Sequence, residues 1–171
     1  MSGGARIGLR PPGPPIPFAA VNRPGYPGYQ PGLQRHHLIP RALVERGCFE
    51  SLLRGLGLRA GFHDFRRNGV LLPASEEGAV RMGLPLHRGP HRDYSAMVAE
   101  RLGEIESRWS VRRDGHEALR AVVALQGRLR LELFSPMRRL KLHSRDSLDR
   151  GADFSRLDAM ADALWVATQP A

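Results

Sequence analysis

Apolar residues recur at helical spacing in several segments of the chain, a pattern typical of a mostly helical protein. The clearest stripe follows Pro90, whose fixed φ angle suits the first position of a helix. Beyond it, apolar side chains fall three or four residues apart at Tyr94, Val98, Leu102 and Ile105. The spacing predicts a helix that begins at Pro90 and buries this stripe.

Three further segments are expected to be helical. Residues 41–57 carry apolar side chains at roughly helical spacing, with an interruption at Gly47. Residues 153–166 begin at Asp153, which suits an N-cap. The helix predicted over 116–134 has an apolar side made of Leu119, Val122, Val123, Leu125, Leu129 and Leu133.

Strand signals are concentrated in the middle of the chain. Asn68-Gly69 is a turn signal, and the three apolar residues of 70–72 predict a short strand that Pro73 stops. Ser75, followed by two glutamates, favours a single helical turn. The chain is therefore expected to adopt an α+β fold that is mostly helical, with a few short strands near its histidines.

Composition divides the chain into three parts. Residues 1–33 are rich in proline and glycine, which suit neither a helix nor a central strand, so we expect a linker or N-terminal extension. Residues 34–110 are expected to form the core, and residues 111–171 a basic helical C-terminal extension packed on it. A proline-rich tether is typical of a domain within a longer, delivered polypeptide.

The charge balance favours a polyanionic partner. The chain has 26 Lys and Arg residues against 17 Asp and Glu residues, a net charge of +9 and a pI of about 11.2. Lys141 is the only lysine, and arginine binds phosphate in a bidentate manner. A GC-rich genome also raises arginine over lysine, so the arginine excess by itself is weak support for nucleic-acid binding.

Several classes of protein are excluded by what the chain lacks. Cys48 is the only cysteine, so neither an intramolecular disulfide nor a thiolate zinc cluster can form. No run of about 18 apolar residues is present, so we expect no membrane span. The N-terminus lacks the apolar region of a secretory signal peptide. We expect synthesis in the cytoplasm, and export from the cell would need another carrier.

Four of the seven histidines have spacings that suit a metal site. His36 and His37 are adjacent. About fifty residues later, His87 and His91 lie four positions apart, with Pro90 placing His91 in the first turn of a helix. Neighbouring side chains on an extended segment point to opposite faces, so one member of the adjacent pair can bind a cation while the other activates water. The residues alone do not decide which histidine does which.

Three motifs, in this order, resemble the AHH branch of the HNH/endonuclease VII nucleases. They are Arg-His-His-Leu-Ile-Pro from residue 35, Asn-Gly-Val-Leu-Leu-Pro from residue 68, and Pro-Leu-His-Arg-Gly-Pro-His-Arg-Asp-Tyr from residue 85. The resemblance covers roughly residues 34–107 and implies a ββα-metal (His-Me finger) core, which often occurs as the toxin domain of bacterial polymorphic toxins. The alanine that names the family is Arg35 here, where we expect altered substrate contact rather than lost chemistry.

The resemblance also implies roles for individual residues. His37 would be the general base that activates water, and Asn68 would fix the loop that carries it by hydrogen bonds. One divalent metal ion, Mg2+, Zn2+, Mn2+ or Ni2+, would be held by His36, His87 and His91. Arg35, Arg88 and Arg92 would contact the substrate. Tyr94 would contact the substrate, pack or form a hydrogen bond at the site. The histidines at 63, 116 and 143 have no partner motif and are interpreted as ordinary polar residues.

The function that the resemblance implies is a metal-dependent, sequence-nonspecific DNase acting as a bacterial toxin effector, delivered by a secretion system into a target-cell cytoplasm. We expect a monomer that an acidic immunity protein neutralises in the producing cell. Two alternatives stay open. An RNase of the same fold would use the same residues. A non-enzymatic, basic nucleic-acid-binding module would use all four histidines to close a structural zinc site, which would leave no base.

Overall fold

A two-stranded antiparallel sheet carries the adjacent histidines. Strand β1 (Leu33–His37) pairs with strand β2 (Gly69–Pro73), and His37 lies opposite Gly69. The computed structural model describes residues 13–45, 47, 49–87 and 91–135 of the chain. Within that part the protein is mostly helical, so the predicted α+β class is confirmed.

Helices make up most of the remaining described chain. The α-helices are α1 (Arg41–Glu45), α2 (Glu50–Leu56), α3 (Phe65–Asn68), α4 (Glu76–Met82), α5 (Arg92–Arg112) and α6 (Gly115–Phe134), and the 3-10 turns are Phe18–Ala20 and Gly57–Ala60. The strands β1 and β2 together with α5 supply the two strands and the helix of the predicted ββα-metal core.

Most of the helical predictions that fall on described residues are confirmed. The segment predicted over 41–57 is helical in two pieces, α1 and α2, which are separated at Gly47, where φ is 72°. The apolar stripe of α5 is buried from Tyr94 to Ile105. The turn predicted after Ser75 is longer than a single turn, because it continues as the seven-residue helix α4.

Two helical details differ from the predictions. Helix α5 begins at Arg92, and His91 is its N-cap residue rather than part of its first turn. Pro90, the predicted start, lies outside the described residues. On α6, Val123 is 44% exposed, because it lies about 100° around the helix from the buried Val122.

Helices α5 and α6 pack against each other and form much of the core. Arg101 on α5 and Glu132 on α6 form a salt bridge of 3.0 Å. Arg130 on α6 donates to the carbonyls of Arg66 (2.8 Å) and Gly69 (3.0 Å), which ties α6 to the segment leading into β2. The large side chains that are fully buried here include Leu52, Leu56, Leu72, Val98, Leu102, Val122, Leu125, Leu129 and Leu133.

Part of the proline-rich segment predicted as a linker contacts the core. The Ile16 backbone N–H donates to the Asp64 carboxylate at 3.0 Å, and Pro17 forms an isolated β-bridge with Asp64. Phe18 is buried beside β1, whereas Tyr26 is 56% exposed. This part of the proline-rich segment therefore packs on the core despite its composition, because the buried ring of Phe18 anchors it.

The predicted helix over 153–166, together with Cys48 and Lys141, lies outside the described residues. Among the helices that the structure describes, none combines the length and the apolar surface that a bilayer span requires.

Candidate active site

Three histidine side chains meet on one face of β1. Each of His36, His87 and His91 presents a ring nitrogen, and these three nitrogens lie within 4.8 Å of one another. The ring centroids are 5.1 Å apart for His36 and His87, 5.3 Å for His36 and His91, and 4.7 Å for His87 and His91. These are the three histidines that the family resemblance indicated as ligands, and we call them the histidine trio.

Each member of the histidine trio comes from a different element. His36 lies on β1, and His91 is the N-cap residue of α5. His87 follows α4, and its backbone N–H donates to the carbonyl of Pro73, the last residue of β2, at 2.8 Å. The sheet therefore supplies His36 directly and holds His87 beside it.

The histidine trio fits a divalent cation. His36 is only 3% exposed, and its Nε2 atom has no hydrogen-bond partner among the described residues. Leaving such a buried atom unsatisfied costs about 1–3 kcal/mol, which a bound cation would offset. Burial, reinforced by His87 and His91, holds the pKa of His36 well below its ordinary value. The ring is therefore neutral, which is the form that binds metal.

Gln34, which the sequence analysis missed, orients one member of the trio. Its side-chain oxygen lies 2.8 Å from Nδ1 of His87. An amide oxygen only accepts hydrogen bonds, so Nδ1 carries the proton and Nε2 keeps the lone pair that a cation needs. The alternation of β1 contained the signal, because Gln34 lies two residues from His36 and therefore on the same face.

His37 lies on the opposite face of β1 and is not part of the histidine trio. Its ring stacks on the ring of Phe18, with centroids 3.7 Å apart and planes inclined by 6°. Burial, followed by the charges of Arg41 and His63, lowers the pKa of His37 to about 3. His63, which has no partner motif in the sequence, thus contributes to the lowered pKa of His37.

Asn68 is fully buried and fastens the backbone that follows His37. Its side-chain oxygen accepts from Ile39 N at 2.8 Å, and its side-chain nitrogen donates to the carbonyls of Ile39 (3.1 Å) and Phe62 (3.0 Å). Its own carbonyl accepts from Leu38 N at 2.7 Å. Asn68 therefore binds both N–H and C=O groups of the backbone that follows β1, and this fixes the path of the chain there.

A comparison with known protein families identifies the family to which these residues belong. Residues 18–127, more than half of the chain, match a nuclease family of the HNH/ENDO VII superfamily with a conserved Ala-His-His motif. The chain belongs to this AHH nuclease family. No curated protein and no solved structure matches it. The protein is thus a nuclease, with nucleic acid as its substrate class.

This AHH nuclease departs from the motif that names the family at Arg35. The Arg35 Nη1 atom donates to the Phe18 carbonyl at 2.8 Å. The guanidinium therefore anchors the segment that covers His37, an interaction that alanine could not make. The substrate contact expected of Arg35 stays a prediction.

The other residues assigned to the nuclease site occupy different environments. Tyr94 lies 5.1 Å from His36 between ring centroids, and its hydroxyl donates to the Leu38 carbonyl at 2.6 Å. Burial raises the pKa of Tyr94, and the buried ring with its bond to the Leu38 carbonyl marks it as a packing residue at the end of β1. Arg92 is exposed at the first residue of α5, and Arg88 lies outside the described residues.

Replacing Gln34 by alanine should weaken zinc binding by about 10- to 100-fold, because His87 loses the partner that fixes its protonated nitrogen. Isothermal titration of the purified, metal-free nuclease measures this affinity. Gln126→Ala is the matched control, since the Gln126 side chain is buried and donates to the Ala60 carbonyl at 3.2 Å, away from the trio. The control should lose stability and keep its zinc affinity. Equal zinc affinity in Gln34→Ala and the parent would contradict the prediction.

The free energy of unfolding of the metal-free nuclease should decrease as the pH falls from about 7.5 to about 5. Burial, followed by the charge of His91, lowers the pKa of His87 from 6.5 to about 3, and the pKa of His36 is lowered too. Below pH 6.5 the unfolded chain therefore binds protons that the folded chain does not, and stability is lost there. Each such histidine contributes up to about 1.4 kcal/mol per pH unit.

Urea unfolding in EDTA, repeated across this pH range, provides the measurement. The variant His87→Gln should show a weaker pH dependence, because one of the groups that titrates on unfolding is gone. An unfolding free energy that does not change between about pH 7.5 and about pH 5 would contradict the prediction.

Proposed function

We propose that the protein is an endonuclease that hydrolyses DNA with one divalent metal ion and with His37 as the general base. The observation that carries this proposal is the division of the four motif histidines into a trio and a single residue. Three protein ligands leave a coordination position open, as in catalytic sites, whereas structural zinc sites are closed by four. This division counts against a non-enzymatic module with a structural zinc.

His37 is the proposed acceptor of a proton from water. It is neutral, because burial lowers its pKa, and it directly follows His36 of the trio on β1. As the water oxygen bonds to phosphorus, the bond from phosphorus to the leaving oxygen breaks. His37 takes the water proton, and the leaving oxygen takes a proton from solvent. Asn68 assists by holding the backbone after His37 in place.

His36, His87 and His91 are the proposed metal ligands. A bound cation supplies Lewis-acid charge that stabilises the negative charge developing on the phosphate. Imidazole ligands suit zinc and nickel, whereas magnesium prefers oxygen ligands. Among the four ions that the sequence left open, we therefore favour zinc or nickel.

The charge of the protein supports a polyanionic substrate. A net charge of +9 attracts a nucleic-acid backbone without regard to sequence. Arg92 is exposed directly after His91, at the start of the 21-residue helix α5, where unpaired backbone N–H groups also favour phosphate. We propose that Arg92 contacts the phosphate next to the scissile bond, and we keep Arg88 and Arg35 as further candidates.

Replacing His37 by alanine should reduce DNA cleavage by about 10²- to 10⁴-fold, because the water loses its proton acceptor. The measurement is cleavage of plasmid DNA by the purified protein with zinc, nickel, manganese or magnesium, and with EDTA. His116→Ala, which removes an exposed histidine on α6, is the matched control and should cleave like the parent. Zinc affinity should be unchanged in both variants.

A parent protein that cleaves and a His37→Ala variant that cleaves equally well would refute the role of the base. A parent protein that binds DNA but cleaves it with none of the metals would favour the binding-module alternative. The same assay on single- and double-stranded RNA distinguishes the RNase alternative, since the site residues would be shared.

We further propose that this nuclease is a bacterial toxin effector, delivered into rival cells and neutralised in its producer by an acidic immunity protein. The family resemblance and the net charge support this proposal, because a chain of net charge +9 is complementary to an acidic inhibitor. A pull-down from a producing strain should recover a small acidic protein, and recovering none would count against the immunity partner.

Production of the parent chain in a bacterial host that lacks the immunity protein should stop growth and degrade cellular DNA. The His37→Ala variant should allow growth, because toxicity depends on cleavage. Colony counts and the integrity of chromosomal DNA measure the two effects. Growth arrest by both proteins would show that any toxicity does not arise from this active site.

A further inference from the structure

A short segment of the N-terminal region crosses the face of β1 that carries His37. Ile16 is held at both its backbone groups, since its N–H donates to the Asp64 carboxylate (3.0 Å) and its carbonyl accepts from Phe65 N (2.8 Å). Arg35 holds the Phe18 carbonyl at 2.8 Å. The segment is therefore fastened on either side of Phe18.

The Phe18 ring is 5% exposed and lies flat on the His37 ring. A centroid distance of 3.7 Å and an inclination of 6° leave no room for the imidazole to tilt towards that side. The Phe18 ring also packs against Phe65 in a T-shaped arrangement, with centroids 5.2 Å apart and planes inclined by 74°. Phe18 is thus in ring contact with both Phe65 and His37.

Gly69 makes room for this arrangement. It lies opposite His37 in the sheet, and a Cβ atom at this position would be 2.2 Å from Cδ2 of Phe65. Any larger residue would displace Phe65, which contacts Phe18. The glycine of the Asn-Gly motif is therefore required by close packing against Phe65, and not by a positive φ, because its φ is −118°.

We propose that Phe18, supported by Phe65, is a positioning residue that fixes the plane of the His37 imidazole for proton transfer. This inference rests on the proposed function, in which His37 is the base. Proton transfer requires the base to be held within a fraction of an ångström and about 10–20° of the productive geometry. Packing against a flat ring supplies this restraint without occupying either ring nitrogen.

The variant Phe18→Leu keeps an apolar side chain but removes the flat surface. We expect kcat for plasmid cleavage to fall by about 10- to 100-fold, with KM and zinc affinity unchanged, because the trio lies on the other face of β1. Phe18→Tyr keeps the ring and should restore most of the activity. Phe49→Leu is the matched control, since Phe49 is a similarly buried ring, at 8% exposure, in the hydrophobic core cluster. It should lower the melting temperature and leave kcat near that of the parent.

Three results would overturn the inference. An unchanged kcat in Phe18→Leu would mean that the stack does not position the base. A raised kcat would mean that Phe18 covers His37 rather than orienting it. A parallel loss of kcat and zinc affinity would mean that Phe18 acts on the whole fold.

Proton NMR of the folded, metal-free protein separates this inference from the proposed function. The His37 ring protons should be shifted upfield by the Phe18 ring in the parent and should lose that shift in Phe18→Leu. If the parent cleaves no nucleic acid, the proposed function fails, and the role of Phe18 in catalysis fails with it. In that case, an upfield shift in the parent would still show that Phe18 restrains the His37 ring. If the shift were absent as well, that restraint would also be refuted.

Discussion

Side-chain alternation along β1 is the constraint on which the site depends. Because His36 and His37 are adjacent on an extended strand, they face opposite sides of the sheet, which has two strands among the described residues. Asn68 fixes the chain where it leaves β1, and Gly69 admits the Phe65 ring on the side of His37. A slip of one residue in the pairing would exchange the two histidines, so the register of this small sheet determines the chemistry.

The site is built where the sheet enters the hydrophobic core. Leu38 and Ile39, directly after the adjacent histidines, are completely buried, and Tyr94 from the stripe of α5 bonds the Leu38 carbonyl. Burial of this kind is what keeps imidazoles neutral inside a chain of charge +9. The same burial removes water from His36, and burying such polar groups is unfavourable. The apolar packing of α5 on α6 contributes stability that offsets this cost.

Sequence reasoning succeeded where a motif carries the information and failed where tertiary contact does. The spacing of the histidines predicted a metal site, and the family resemblance indicated that His36, rather than His37, joins His87 and His91. Gln34 was missed because its partner His87 lies 53 residues away, and Phe18 because the surrounding proline-rich composition indicated a linker. The start of α5 was misplaced because the preference of Pro90 is a local rule, whereas the backbone of His91 (φ −95°, ψ 71°) is not helical.

The sequence separation between the members of the histidine trio has a consequence for folding. His87 and His91 are neighbours in sequence, but His36 lies about fifty residues before them. An ion shared by all three would close that long loop, as a disulfide does, and restrict the unfolded chain more than the folded one. The metal would then be a reversible cross-link as well as a catalyst. Chelation in one cellular compartment and loading in another would change catalytic competence and resistance to unfolding together.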